Sequence, residues 1–221
     1  MNLAPNTKDT SKLTIIAFGD SITEGTHGGA NIKDTFPVVL EKMLLQKQIC
    51  IKVINKGVPG ETAPESLFRL ERDVIRLNPD MVLVMYGAND AYIPPGKKTP
   101  AVNRVDYSMA IRKIVRRLID MSIHPVLMTT TPVLDLDASP YYTESSYEKI
   151  KQSLESHIIE MRKIAYEEKI LLIDHYKTWI ELDKDRDILK AYLPDGVHPN
   201  ADGNYLLAIV TYQALINEIR K

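Results

Sequence analysis

Five short apolar runs, at 13–18, 50–54, 81–86, 126–130 and 170–173, constrain this chain more than any other feature. They are rich in β-branched residues and mostly lack the alternating polar positions of a half-exposed strand. That pattern predicts strands buried on both faces, as in a parallel sheet covered by helices. The segments between them carry apolar residues at helical spacing, so the class is α/β, a three-layer α/β/α sandwich.

The helices are expected in the following places. One is capped by Asp34 or Thr35, has Pro37 in its first turn, and runs to about Gln48 with Phe36, Leu40, Met43 and Leu44 inward. The second opens at Pro64 and runs to about Leu77, with Leu67, Leu70, Val74 and Leu77 on one face. The third, 104–121, turns Val105, Ile111, Ile114 and Leu118 to the core, and the fourth, 144–168, does so with Tyr147, Ile150, Leu154, Ile158, Met161 and Ile164. Residues around Trp179 read as helical, and a last helix starts at Asn200 or Ala201 with Tyr205, Leu206, Ile209, Val210, Ile216 and Ile219 inward. Segments 91–103 and 131–145 read as long loops, in which Ile93, Tyr141 and Tyr142 are candidate pocket residues.

At 221 residues the chain suits one domain, 1–221, with the polar segment 1–11 read as a flexible terminus. A chain of this size buries roughly 70% of its unfolded surface and needs no disulfide or metal to hold together. The 28 basic and 29 acidic residues nearly cancel, which argues against nucleic acid or an anionic membrane as partner. Arg112, Lys113, Arg116 and Arg117 repeat along one helix and read as a solvated face rather than a phosphate site. The one cysteine, Cys50, allows no intrachain disulfide and, beside an apolar run, reads as a buried thiol. No apolar segment approaches the ~20 residues of a membrane span, and no secretory leader opens the sequence, so a cytoplasmic location is expected unless a leader has been removed.

The chemistry gathers at strand ends. Gly19-Asp20-Ser21 follows the first run, Gly57 to Gly60 the second, and Gly87-Ala88-Asn89-Asp90 the third. In a parallel sheet of flavodoxin-like order 2-1-3-4-5 these lie along one edge, and Ser21 faces Asn89 across the switch point. A serine needs a positioned base to act as nucleophile. His198 is the strongest of five histidines, because Asp195, three residues earlier, can accept from its Nδ1–H. Donors for an oxyanion are available at the Ser21 N–H, the Gly60 N–H and the Asn89 amide. Taken singly, Ser21 reads as a helix cap, Asn89 as an Asx turn, Gly60 as a turn glycine, and Asp195 and His198 as loop residues. Asp20 and Asp90 read as caps or turn formers, and His27, His124, His157 and His175 as ordinary surface or core residues.

Together the blocks Gly19-Asp20-Ser21, Asn55-x-Gly57-x-x-Gly60, Gly87-x-Asn89-Asp90 and Asp195-x-x-His198-Pro199 resemble the SGNH (GDSL-type) hydrolase family, in its order and over most of the chain. The resemblance implies a flavodoxin-like fold, Ser21 as nucleophile, Asp195 and His198 completing a triad, and Gly60 and Asn89 in the oxyanion hole. Gly60 is preferred to Gly57 because an acid and a threonine follow it. The expected activity is hydrolysis of a small-molecule ester with neither cofactor nor metal; short-chain or acetyl esters, an O-acetylated carbohydrate or a lysophospholipid would all suit. Two rivals stand beside it: a metal-dependent phosphoesterase using Asp20, Asn89, Asp90 and His198, and a non-catalytic flavodoxin-like binding module.

Overall fold

A computed structural model of the chain describes residues 12–134, 140–141, 144–184 and 187–219. The expected terminal segment 1–11, Tyr142 and residues 135–139 of the second expected loop lie outside them. The strands are β1 (Leu13–Gly19), β2 (Ile51–Gly57), β3 (Met81–Met85), β4 (His124–Met128) and β5 (Leu172–Ile173). All pairings are parallel, in the order β2-β1-β3-β4-β5 that the strand-end chemistry requires. The helices are α1 (Ser21–Glu24), α2 (Phe36–Gln46), α3 (Ala63–Asp73), α4 (Ala88–Ala91), α5 (Arg104–Asp120), α6 (Glu144–Glu168), α7 (His175–Asp183), α8 (Ile188–Tyr192) and α9 (Ala201–Ile219).

Alternation along each strand divides the core into two layers. Ile16, Phe18, Val82, Val84 and Leu127 pack against α3, α5 and α6, where Leu70, Ile111, Ile114, Leu118, Met161 and Ile164 meet them. Ile15, Ala17, Leu83, Met85, Val126 and Met128 face the other way, onto Phe36, Leu40 and Leu44 of α2 and Leu207, Ala208 and Leu215 of α9. A third cluster of Ala91, Val133, Ile150, Leu154 and Ile158 fills the space beyond the strand ends, between α4 and the first half of α6.

Local chemistry sets the element boundaries. Thr62 and Glu65 form a capping box at the start of α3, with Pro64 in its first turn. Asn103 accepts the N–H groups of Val105 and Asp106 and so starts α5. β2 runs on past Ile54, because Asn55, Lys56 and Gly57 stay paired with Ala17, Phe18 and Gly19. β5 keeps only two of the four residues expected of it.

Four burial expectations fail. Leu77 is exposed because α3 ends at Asp73, four residues early, and the chain passes through a 3-10 turn to a left-handed Asn78. Val105 is exposed in the first turn of α5, and Tyr205 is exposed on α9. α9 is apolar around most of its circumference, so its period leaves the inward side ambiguous; the buried stripe is Leu207, Ala208, Thr211 and Leu215. Cys50 is exposed: it stands just ahead of the sheet's edge strand, and what it offers the sheet is its carbonyl, which accepts from the Leu13 N–H at 2.9 Å. On α5, Lys113, Arg116 and Arg117 are exposed and Arg112 partly so; Arg112 pairs with Glu167 and Glu168, Arg116 with Glu168, and Arg117 with Glu71. Among the described residues no helix is long and apolar enough to cross a membrane.

The two-layer packing predicts a sharp contrast between neighbouring helices. Ile114→Ala, at a fully buried position between α5 and the sheet, should lose about 2–5 kcal/mol in urea unfolding. Phe68→Ser, on the outward side of α3 at 93% exposure, should stay within about 0.5 kcal/mol of the parent.

Candidate active site

β1 stops where side chains no longer fit. A Cβ on Gly19 would lie 2.1 Å from the Thr23 hydroxyl and 2.4 Å from the Met85 carbonyl, so α1 is seated directly on the strand ends. Asp20 caps α1 by accepting the Ile22 N–H at 2.9 Å, and Ser21 is the first helical residue. A left-handed Gly25 ends this single turn. The serine is thus held in a rigid corner with its backbone N–H in the unpaired first turn of a helix.

The far end of the chain supplies the partner. Asp195 Oδ1 accepts the backbone N–H groups of Val197 and His198, which folds the segment into a tight loop. Its Oδ2 lies 2.8 Å from His198 Nδ1, and His198 Nε2 lies 2.8 Å from Ser21 Oγ. An imidazole held in this way by a carboxylate presents Nε2 as an acceptor for the hydroxyl proton. Asn204, buried in α9, ties the two regions together: its amide donates to the carbonyls of Gly25, Pro199 and Asn200 while its Oδ1 accepts the Phe36 N–H.

Gly60 and Asn89 line the same cavity as Ser21 and His198. Gly60 is the third residue of the turn 58–61, behind Pro59, with φ 79°, as a type II turn demands. The turn is closed by the Glu61 N–H on the Val58 carbonyl, which leaves the Gly60 N–H out of it. A Cβ at Gly60 would meet open space, whereas one at Gly57 would strike the Glu24 N–H at 2.2 Å. Gly57 is therefore a packing glycine beneath α1. The Asn89 amide donates one N–H to the Glu61 carbonyl at 3.0 Å, and its second N–H remains for another acceptor.

The cavity, about 410 Å³, is walled by Tyr92, Val133, Ile150 and Val197, with Tyr141 and His27 at the flanks of the His198 imidazole. Tyr141 meets the His198 ring edge-to-face at 5.2 Å, and Ile93 packs into the cluster beneath. His27 is exposed, as a surface residue is, but it also lines the cavity: Nδ1 lies 3.2 Å from Glu24 and its ring sits 5.2 Å from that of His198. Nothing in the sequence places it there, because the turn after α1 decides its direction. Asn204 did leave a signal, an amide in the first turn of a helix that is otherwise largely apolar. Of the other histidines, His157 lies between the Ser153 and Val102 carbonyls and His175 is buried against Thr211. Asp20 and Asp90 each spend one oxygen on a backbone N–H, Ile22 and Ala63 respectively. Among the described residues no three His, Cys, Asp or Glu side chains gather as a metal site.

Residues 17–206 match the model of the GDSL-like lipase/acylhydrolase family. An acetylxylan esterase of Geobacillus stearothermophilus is 27% identical, with 93% of each chain covered. An isoamyl acetate-hydrolyzing esterase 1 homolog of Rattus norvegicus is 26% identical over 87% of this chain and 77% of its own. The crystal structure of the Geobacillus acetylxylan esterase superposes with a TM-score of 0.76 at 24% identity, covering 92% of this chain and 94% of that one.

Three carboxylates around the site have opposed electrostatics. Burial works to raise Asp195, but hydrogen bonds from the His198 ring and from the His198 and Val197 N–H groups win and hold it below the usual range. Burial pushes Asp20 up to about 6, against the pull of the Ile22 N–H and His198. It pushes Asp90 up to about 7, with the charge of Asp20 adding to the rise. A carboxyl raised in the folded state holds its proton more tightly there than in the unfolded chain, so its ionisation weakens the fold as pH rises from about 4 through 7. His175, lowered by burial to about 3, has the opposite slope over much of that window, so the test is a difference. Relative to the parent, Asp90→Asn should gain urea stability steadily between pH about 4 and about 7 and level off above that. A parent–variant gap that stays constant across that range would show that Asp90 does not titrate there.

Proposed function

The chain belongs to the GDSL-like lipase/acylhydrolase family, and from that membership we propose a serine esterase that works by acyl transfer through Ser21, His198 and Asp195. The observation that carries the reading is the continuous pair of 2.8 Å contacts from Ser21 Oγ through the His198 ring to Asp195. Ser21 Oγ attacks the ester carbonyl carbon as its proton passes to His198 Nε2. Asp195 keeps Nδ1 protonated and stabilises the imidazolium that results. The carbonyl oxygen becomes an oxyanion, received by the N–H groups of Ser21 and Gly60 and by the free N–H of Asn89. Collapse breaks the bond to the alcohol oxygen, which takes the proton from Nε2. Water then attacks the acyl-serine by the same route, releasing the carboxylic acid and restoring Ser21.

The substrate is a small ester with a short acyl group, acetate foremost. The relatives named for acetylxylan and isoamyl acetate support this choice, as does a cavity of about 410 Å³ whose walls are mostly apolar and aromatic. Such walls suit a neutral ester better than a phosphorylated one. Polar groups cluster at the seat of reaction, where Ser21, Asn89, His27 and His198 meet the cavity.

On p-nitrophenyl acetate, Ser21→Ala should remove turnover and the covalent labelling of the parent by an organophosphonate. A Ser21→Ala variant as fast as the parent would end the proposal. Asn89→Ala should lower kcat roughly 10²–10³-fold with KM little changed. Across p-nitrophenyl esters of rising chain length, kcat/KM should peak at the shortest acyl groups; a maximum at long chains would point to a lipid ester instead.

A further inference from the structure

Three separate strand ends bring the proposed oxyanion donors together, and each hydrogen-bonds to one side chain. Arg69, on α3, is buried at 7% exposure with its guanidinium 4.4 Å from the centre of the Phe18 ring. Its Nη2 donates to the Gly19 carbonyl at 3.2 Å, two residues before Ser21. The same nitrogen donates to the Tyr86 hydroxyl at 3.0 Å, three residues before Asn89. Nε and Nη2 both engage the carboxylate of Glu61, the residue after Gly60, with Nε at 2.7 and 2.9 Å from its two oxygens. Tyr86 closes the cluster by donating to Glu61 Oε2 at 2.7 Å. The Glu61 backbone completes the link to the site, since its carbonyl takes one N–H of Asn89.

We propose that Arg69, through Glu61 and Tyr86, is the positioning residue that sets the relative placement of the Ser21, Gly60 and Asn89 donors. The inference rests on the serine-esterase reading above. Arg69 touches no substrate-facing group, so its effect travels through the segments it joins. The planar fork is what this task needs: it grips the carboxylate side-on while a further N–H reaches the Gly19 carbonyl and the tyrosine hydroxyl. A lysine offers a single point of charge and cannot span all three. Glu61 is held at both ends, by its carboxylate on Arg69 and by its carbonyl on Asn89. The direction of the Asn89 amide, and with it the aim of its second N–H, follows from where the guanidinium holds Glu61. A shift of one of these strand ends by a fraction of a bond length would leave the substrate bound but the developing charge poorly met.

The test is a kinetic cycle on a short-chain p-nitrophenyl ester, with active sites counted by organophosphonate labelling so that loss of folded protein is not read as loss of rate. Arg69→Met and Glu61→Gln should each lower kcat by about tenfold or more while KM stays within about twofold, and Arg69→Lys should recover only part of the loss. Asn89→Ala should cost much less in the Arg69→Met background than in the parent, because both changes spoil the same donor. Should Arg69→Met not fold, Glu61→Gln and Tyr86→Phe carry the same cycle with Asn89→Ala. Parent-like kcat in these variants, or losses that simply multiply with that of Asn89→Ala, would overturn the role of Arg69. Ser21→Ala is run beside them: activity surviving there would sink the esterase reading itself, whereas an inactive Ser21→Ala beside full activity in the others would sink only the positioning role.

Discussion

The level ending of the three central strands is the constraint from which the rest of the site follows. Gly19 stands opposite Gly57 on one side and Met85 on the other, so β1, β2 and β3 release their chains at nearly the same height. Parallel pairing makes that possible, and the absence of side chains at Gly19 and Gly57 lets α1 settle on the edge without a gap. Each chain then turns away through its own device: an aspartate cap before α1, a Pro59-Gly60 turn before α3, and a positive-φ Gly87 before α4. Shifting one strand by a residue would exchange its inward and outward faces and separate these devices.

Below that edge the packing is ordinary; above it the polar groups are accounted for individually. Arg69 and Glu61 are both nearly buried, an arrangement that costs desolvation and is held by the number of hydrogen bonds the pair makes. Asp20 and Asp90 each have one oxygen with no hydrogen-bond partner among the described residues, and burial answers by raising their affinity for a proton. Asp195, only partly buried and well supplied with donors, goes the other way and stays ionised beside His198. Two kinds of carboxylate thus lie within one small region, distinguished by how many N–H groups each was given.

Much of this was legible in the sequence, for reasons that differ by element. Strand order and the carboxyl edge could be read because short apolar runs ending in glycine and small polar residues admit few arrangements. The contact of His198 with Asp195 could be read because three residues fix their separation within a loop. Other features depend on partners far away in the chain. Arg69 looks like any arginine on an amphipathic helix until Gly19, Glu61 and Tyr86 surround it. His27 could not be placed, since a turn with several glycines leaves its direction open. Tyr205 and Leu77 lie outward because one helix is apolar nearly all round and the other ends early, so that helical period no longer identifies the inner side.

The hydroxyl and imidazole that meet at 2.8 Å are separated by 177 positions along the chain. Asn204, which fastens the Gly25 carbonyl to the loop after His198, is later still. On a ribosome the first strand and its serine are made 177 residues ahead of their counterpart. The pair cannot assemble until the segment from Asp195 to Asn204 has been made, and the amide of Asn204 then fastens the two regions in register.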